Sequence, residues 1–142
     1  MKILKIIGHP ISVICMYLLL LVSGKSFGGF YFLYILIGLP HGVPDAIVSV
    51  LGLSIMLLGY KINRNRFNQF RPVLYIVGNV IMILGLVYFF RASKGYNDLT
   101  FHQTVPLFSF VLFGLCVLSN FFVSILLLNQ RTSGNNHINV VV

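Results

Sequence analysis

Acidic side chains are almost missing from this chain: Asp45 and Asp98 are the only two, against ten lysines and arginines. Tryptophan is absent, cysteine occurs twice, and charged residues make up 8% of the 142 positions. A water-soluble domain ordinarily carries about a quarter charged residues. A water-facing surface cannot be built from so few, so a soluble globular domain is excluded. Two acids and four scattered histidines give little material for paired-carboxylate or metal-assisted catalysis. Cys15 and Cys116 stand alone in separate apolar runs with no C-x-x-C, and buried lone thiols are ordinarily inert packing residues. There is no phosphate-binding glycine loop, no H-E-x-x-H and no nucleophile triad, so the sequence leans away from an enzyme and calls for no cofactor.

What the chain has instead is hydrocarbon. Hydrophobic residues make up 58% of it, and the mean hydropathy is +0.95. Lipid is therefore the solvent for most of its surface. The net charge of +8 raises the question of nucleic acid. The basic residues, however, sit between long apolar runs, where membrane proteins keep them, and anionic headgroups are the expected counter-charge. The loop holding Lys61, Arg64, Arg66 and Arg71 interleaves them with Phe67 and Phe70, as an interfacial anchor would.

Four apolar runs follow one another: Ile3–Val22, Phe30–Tyr60, Pro72–Phe90 and Val105–Leu128. The first also carries signal-peptide features, with Lys2 and Lys5 ahead and Ser23 and Gly24 behind, but its length favours a retained helix. The second is too long for a single span. Pro40, Gly42 and Pro44 predict a break there, with Pro44 opening a new helix and Asp45 favouring its positive end. Phe30–Leu39 then forms a shorter helix, kinked on top or lying at the interface. The expected fold is all-α: four transmembrane helices in one domain, residues 1–128, the second broken near Pro40–Pro44, followed by a polar, flexible tail, residues 129–142. Lys2, Lys5, Lys61, Arg64, Arg66, Arg71 and Arg131 fall on one side and Lys25, Arg91 and Lys94 on the other. The richer side faces the cytoplasm, so both termini are expected inside.

Within that topology His41, Asp45, Asp98 and His102 gather toward the outer face. His41 and Asp45 are four apart, and a histidine with a carboxylate can hold a metal or pass a proton. The plainer reading is a helix cap for Asp45 and a backbone partner for His41. The stretch Gly38-Leu39-Pro40-His41-Gly42 followed by Asp45 resembles a pattern in bacterial membrane carotenoid-cleaving oxygenases, whose histidines bind iron. The resemblance covers eight residues, and Ala46 stands where that pattern continues with a histidine, so no membership follows from it.

Polar residues inside the runs are few: Asn79, and the stripe Cys116, Asn120, Ser124. Such groups bond across to neighbouring helices or line a path. Gly52–Gly59 repeats as Gly78–Gly85, which predicts an antiparallel hairpin with Gly52 facing Gly85 and Gly59 facing Gly78. The functional expectation is a multi-pass membrane protein, in the cell or inner membrane if bacterial, acting as an accessory or scaffold subunit through helix contacts. Lipids and a second copy or a partner membrane protein are its expected company. The alternatives are a small oligomeric transporter or channel using His41 and Asp45 and, more remotely, a membrane enzyme with a His/Asp metal site.

Overall fold

The computed structural model describes residues 6–25, 28–62, 70–93 and 95–136, with side chains as far as 129. In chain order the elements are α1 (Pro10–Leu18), β1 (Leu21–Ser23), β2 (Gly28–Phe30), α2 (Tyr31–Gly38), α3 (Pro44–Lys61), α4 (Phe70–Ala92), α5 (Leu99–His102) and α6 (Thr104–Asn136). The chain is mostly helical, and among the described residues three helices are long and apolar enough to cross a membrane: α3, α4 and the Thr104–Asn129 part of α6.

The first apolar run departs from expectation. It is not one long helix. His9 starts α1 by accepting the Ile11 N–H on Nδ1 at 3.3 Å, and Pro10 fills the first helical position. After nine residues, roughly 14 Å of helix, the chain straightens into β1. The cause lies elsewhere in the fold. The Leu21 N–H donates to Ser109 Oγ at 3.0 Å and the Ser23 N–H to Thr100 Oγ1 at 2.9 Å, while the Thr100 hydroxyl donates back to the Ser23 carbonyl. β2 completes the satisfaction of β1 as an antiparallel partner, Leu21 opposite Phe30 and Ser23 opposite Gly28. Partners from distant elements thus replace the next helical turn, and the half-buried amides stay paired.

The break in the second run lies at residues 39–43. α2 ends where the His41 and Val43 amides turn back onto the Gly38 carbonyl. Gly42 sits at φ +68°, a left-handed conformation that glycine adopts without a Cβ clash, and Pro44 opens α3. α2 is not stacked on the start of α3, and it keeps an exposed apolar face of Phe32, Leu36 and Ile37. It leaves β2 beside the middle of the bundle, with Tyr31 Oη bonded to Ser49, and climbs antiparallel to α3 until Gly38 lies against Ala46.

α3 and α4 make the most extensive contact in the molecule and run antiparallel. All four repeat glycines lie in it, but the register differs from the expected glycine-on-glycine pairing by about one turn. A Cβ on Gly52 would come within 2.9 Å of the Met82 backbone, one on Gly78 within 3.3 Å of Met56, one on Gly59 within 3.0 Å of Tyr75, and one on Gly85 into Ser49. Each glycine is a hollow for a larger residue opposite. Met56 and Met82 are both fully buried by this fit. Without a hydrophobic drive between helices in lipid, such close approach supplies the dispersion that holds them.

α6 packs against α4 and against α1 with β1. Its inward stripe is Ser109, Phe113, Cys116, Val117, Asn120 and Ser124, and its outward face is apolar and exposed. The helix continues past Leu128 to Asn136, into the stretch expected to be tail; residues 137–142 lie outside the described residues.

Candidate functional site

Three polar features are built into this apolar frame. The first joins four segments near mid-bundle. Tyr17 on α1 donates its hydroxyl to Ser49 Oγ at 2.8 Å and approaches the Met82 carbonyl at 3.0 Å, while Tyr31 on α2 lies 3.0 Å from the same serine oxygen. The two tyrosine rings meet edge to face at 5.3 Å, and Tyr31 stacks likewise on Phe89. Both tyrosines and Ser49 are fully buried. Gly85 lets Ser49 and Tyr17 approach α4 this closely, since a Cβ there would strike both.

The second feature lies one to two turns earlier on α4. Asn79 Nδ2 donates to Asn120 Oδ1 at 2.8 Å, and Asn120 Nδ2 donates to the Gly8 carbonyl at 2.6 Å. Asn79 Oδ1 and Ser124 Oγ are buried without a partner. Gly8 presses on the backbone of Ser119 and Asn120, where a Cβ would sit 2.8 Å from the Ser119 carbonyl.

The third is a half-open cleft of about 400 Å³ between α2, α3 and the end of α4. Leu33, Tyr34, Ile37 and Phe89 supply apolar and aromatic wall, and Ser93 and Asp45 supply polarity. Asp45 is only 6% exposed. Its carboxylate bonds its own backbone N–H in the first turn of α3, and no ion pair forms on it among the described residues.

The four residues expected to gather at this end do not form one centre. His41 is exposed and turns its Nδ1 back to donate to the Ile37 carbonyl at 2.7 Å, tying off the end of α2. Asp98 is exposed just ahead of α5, packed close to Gly95, and His102 is exposed at the end of α5. Among the described residues no group of three or more histidines, cysteines or acids could hold a metal ion.

At the opposite end, Arg71 reaches back onto α3. It donates Nε to the Gly59 carbonyl and Nη2 to Tyr75 Oη, each at 3.2 Å, and so caps the last turn of α3. Lys61 is exposed, while Arg64 and Arg66 lie outside the described residues. His9 and Tyr60 meet edge to face at 5.6 Å near this end.

Sequence reasoning singled out Asn79 and Asn120 but passed over Tyr17 and Tyr31. The signal was present: a tyrosine inside an apolar run carries a hydroxyl that must find a partner. No family model, characterised protein or solved structure matches this chain.

Proposed function

We propose that this is a multi-pass membrane protein of the accessory or scaffold kind, working through helix contacts with lipid, a second copy or a partner membrane protein. The supporting observation is how its buried polar groups are used. The Tyr17, Tyr31, Ser49 set and the Asn79, Asn120, Gly8 set close on one another and fasten separate segments together. Side chains that would line a conduction path are employed as fasteners, and His41 is employed as a cap.

On this reading the bundle crosses the membrane four times. The fourth crossing is the segment from Gly8 to Lys25, part helix and part strand. It runs antiparallel to α6, with Gly8 beside Asn120, Leu21 beside Ser109 and Ser23 beside Thr100. Non-helical backbone at membrane depth is tolerated where protein shelters it, as it does here. The end carrying Lys61 and Arg71 faces the cytoplasm, with both chain termini.

Reconstitution into liposomes tests the reading against its transporter rival. The expected result is proton and cation leakage no greater than in empty vesicles, together with a defined oligomer or complex on native mass spectrometry. Ion or proton flux that disappears in Asp45→Asn would replace the scaffold with a transporter.

A further inference from the structure

The Asp45 cleft has work left over that the scaffold reading does not use. A carboxylate buried in apolar surroundings is costly unless something offsets its charge. Its own N–H is the single partner that the described residues give it. A metal ion is a poor match, because one carboxylate and no histidine, cysteine or second acid face the cleft. An anion is repelled. What suits the carboxylate is a cation that donates hydrogen bonds. The walls narrow the choice further. Tyr34 and Phe89 stand edge to face at 5.1 Å, and aromatic rings of this kind attract cations. Ser93 spends its hydroxyl proton on the Phe90 carbonyl at 2.8 Å, so only its oxygen lone pairs are left to meet a donor. Leu33 and Ile37 offer nothing but hydrocarbon.

We propose that this cleft binds a protonated primary amine carried on an apolar body, the ammonium at Asp45 and the hydrocarbon along α2. Two sources share that chemistry: the headgroup of an aminophospholipid, entering sideways from the bilayer, and a free alkylamine. The site is independent of the scaffold reading, since it needs neither a partner protein nor a second copy.

The test uses the full chain in nanodiscs of phosphatidylcholine, titrated with decylammonium, decyltrimethylammonium and decanol, with binding read as saturable protection against thermal unfolding. Decylammonium is expected to bind, and decyltrimethylammonium, which keeps the charge but cannot donate, at least about tenfold more weakly, as loss of a charge-assisted hydrogen bond implies. Asp45→Asn keeps the shape of the side chain and should abolish the preference. Leu33→Trp fills the cleft from the other wall and should abolish binding with Asp45 in place, which covers the case of Asp45→Asn failing to fold. Repeating the titration in phosphatidylethanolamine separates the sources. A fall in apparent affinity assigns the site to the headgroup, and an unchanged affinity assigns it to the free amine. Equal binding of decylammonium and decyltrimethylammonium, or decylammonium binding undiminished in Asp45→Asn or Leu33→Trp, overturns the proposal, as does the absence of saturable binding in phosphatidylcholine with no ethanolamine-specific protection.

Discussion

Single atoms decide much of this fold. At Gly85 the missing Cβ is the space that Ser49 and the Tyr17 hydroxyl occupy. Gly85→Ala is therefore expected to destabilise the bundle by about 1–3 kcal/mol, the usual range for overpacking. At Gly114 on α6 a Cβ meets nothing within 4 Å, so Gly114→Ala is expected to gain about 0.5–1 kcal/mol from helix propensity. Unfolding of the two variants in mixed micelles checks both signs, and a Gly85→Ala protein as stable as the parent contradicts the packing. The asparagines allow a gentler comparison. Asn79→Ala removes the donor to Asn120 and is expected to cost about 0.6–1.7 kcal/mol, as membrane hydrogen bonds do. An unchanged midpoint in the same assay would mean that the Asn79–Asn120 bond contributes nothing. Glycine positions were legible from sequence because small residues at a regular spacing mark a helix contact. Their partners were not, because the four glycines fit as well opposite bulky neighbours as opposite each other, and only the summed packing along both helices selects the register.

Among elements, the contrast is between the second apolar run and the first. The break at residues 39–43 could be read directly, since Pro40, Gly42 and Pro44 act on the local backbone. The ends of α4 and the start of α6 were close to expectation for the same reason, with charge or proline next to an apolar run. The strand that ends the first run had no local signal of comparable strength. Leucine and valine there suit helix and strand alike, and what tips them are Ser109 and Thr100, hydroxyls far along the chain. This dependence can be tested. Replacing Ser109 by Ala and Thr100 by Val withdraws the acceptors of two half-buried amides, at a cost of about 1 kcal/mol each. Hydrogen exchange at Leu21 and Ser23 should accelerate by roughly fivefold per site on that energy, while exchange in α3 stays as it was. Unaltered exchange at both amides would show that β2 alone holds the strand.

For the whole molecule, the opposed directions of α3, α4 and α6 and the antiparallel course of residues 8–25 beside α6 place Lys61 and Arg71 at one end and Gly42 and Gly95 at the other. With Cys15 and Cys116 replaced by alanine, a cysteine at Lys61 is expected to react with a membrane-impermeant maleimide only after the cytoplasmic side is opened. A cysteine at Gly42 is expected to react in intact cells. Labelling in the reverse order would invert the orientation. The four residues singled out in the sequence do not make up a group of three or more metal ligands among the described residues. Their grouping was a deduction from topology alone, and topology fixes depth but not azimuth around the bundle.

The sheltered strand also constrains how the protein is made. The partners of its Leu21 and Ser23 amides lie 88 and 77 residues further along the chain. While the first segment leaves the ribosome, neither hydroxyl has been synthesised. A translocon releasing that segment into lipid at once would release bare peptide groups with it. On the four-crossing proposal, that segment has to remain in a protein-lined or interfacial waiting place, or pass through a different, fully helical form, until α5 and α6 arrive. Chains arrested before Thr100 are expected to be extracted and degraded.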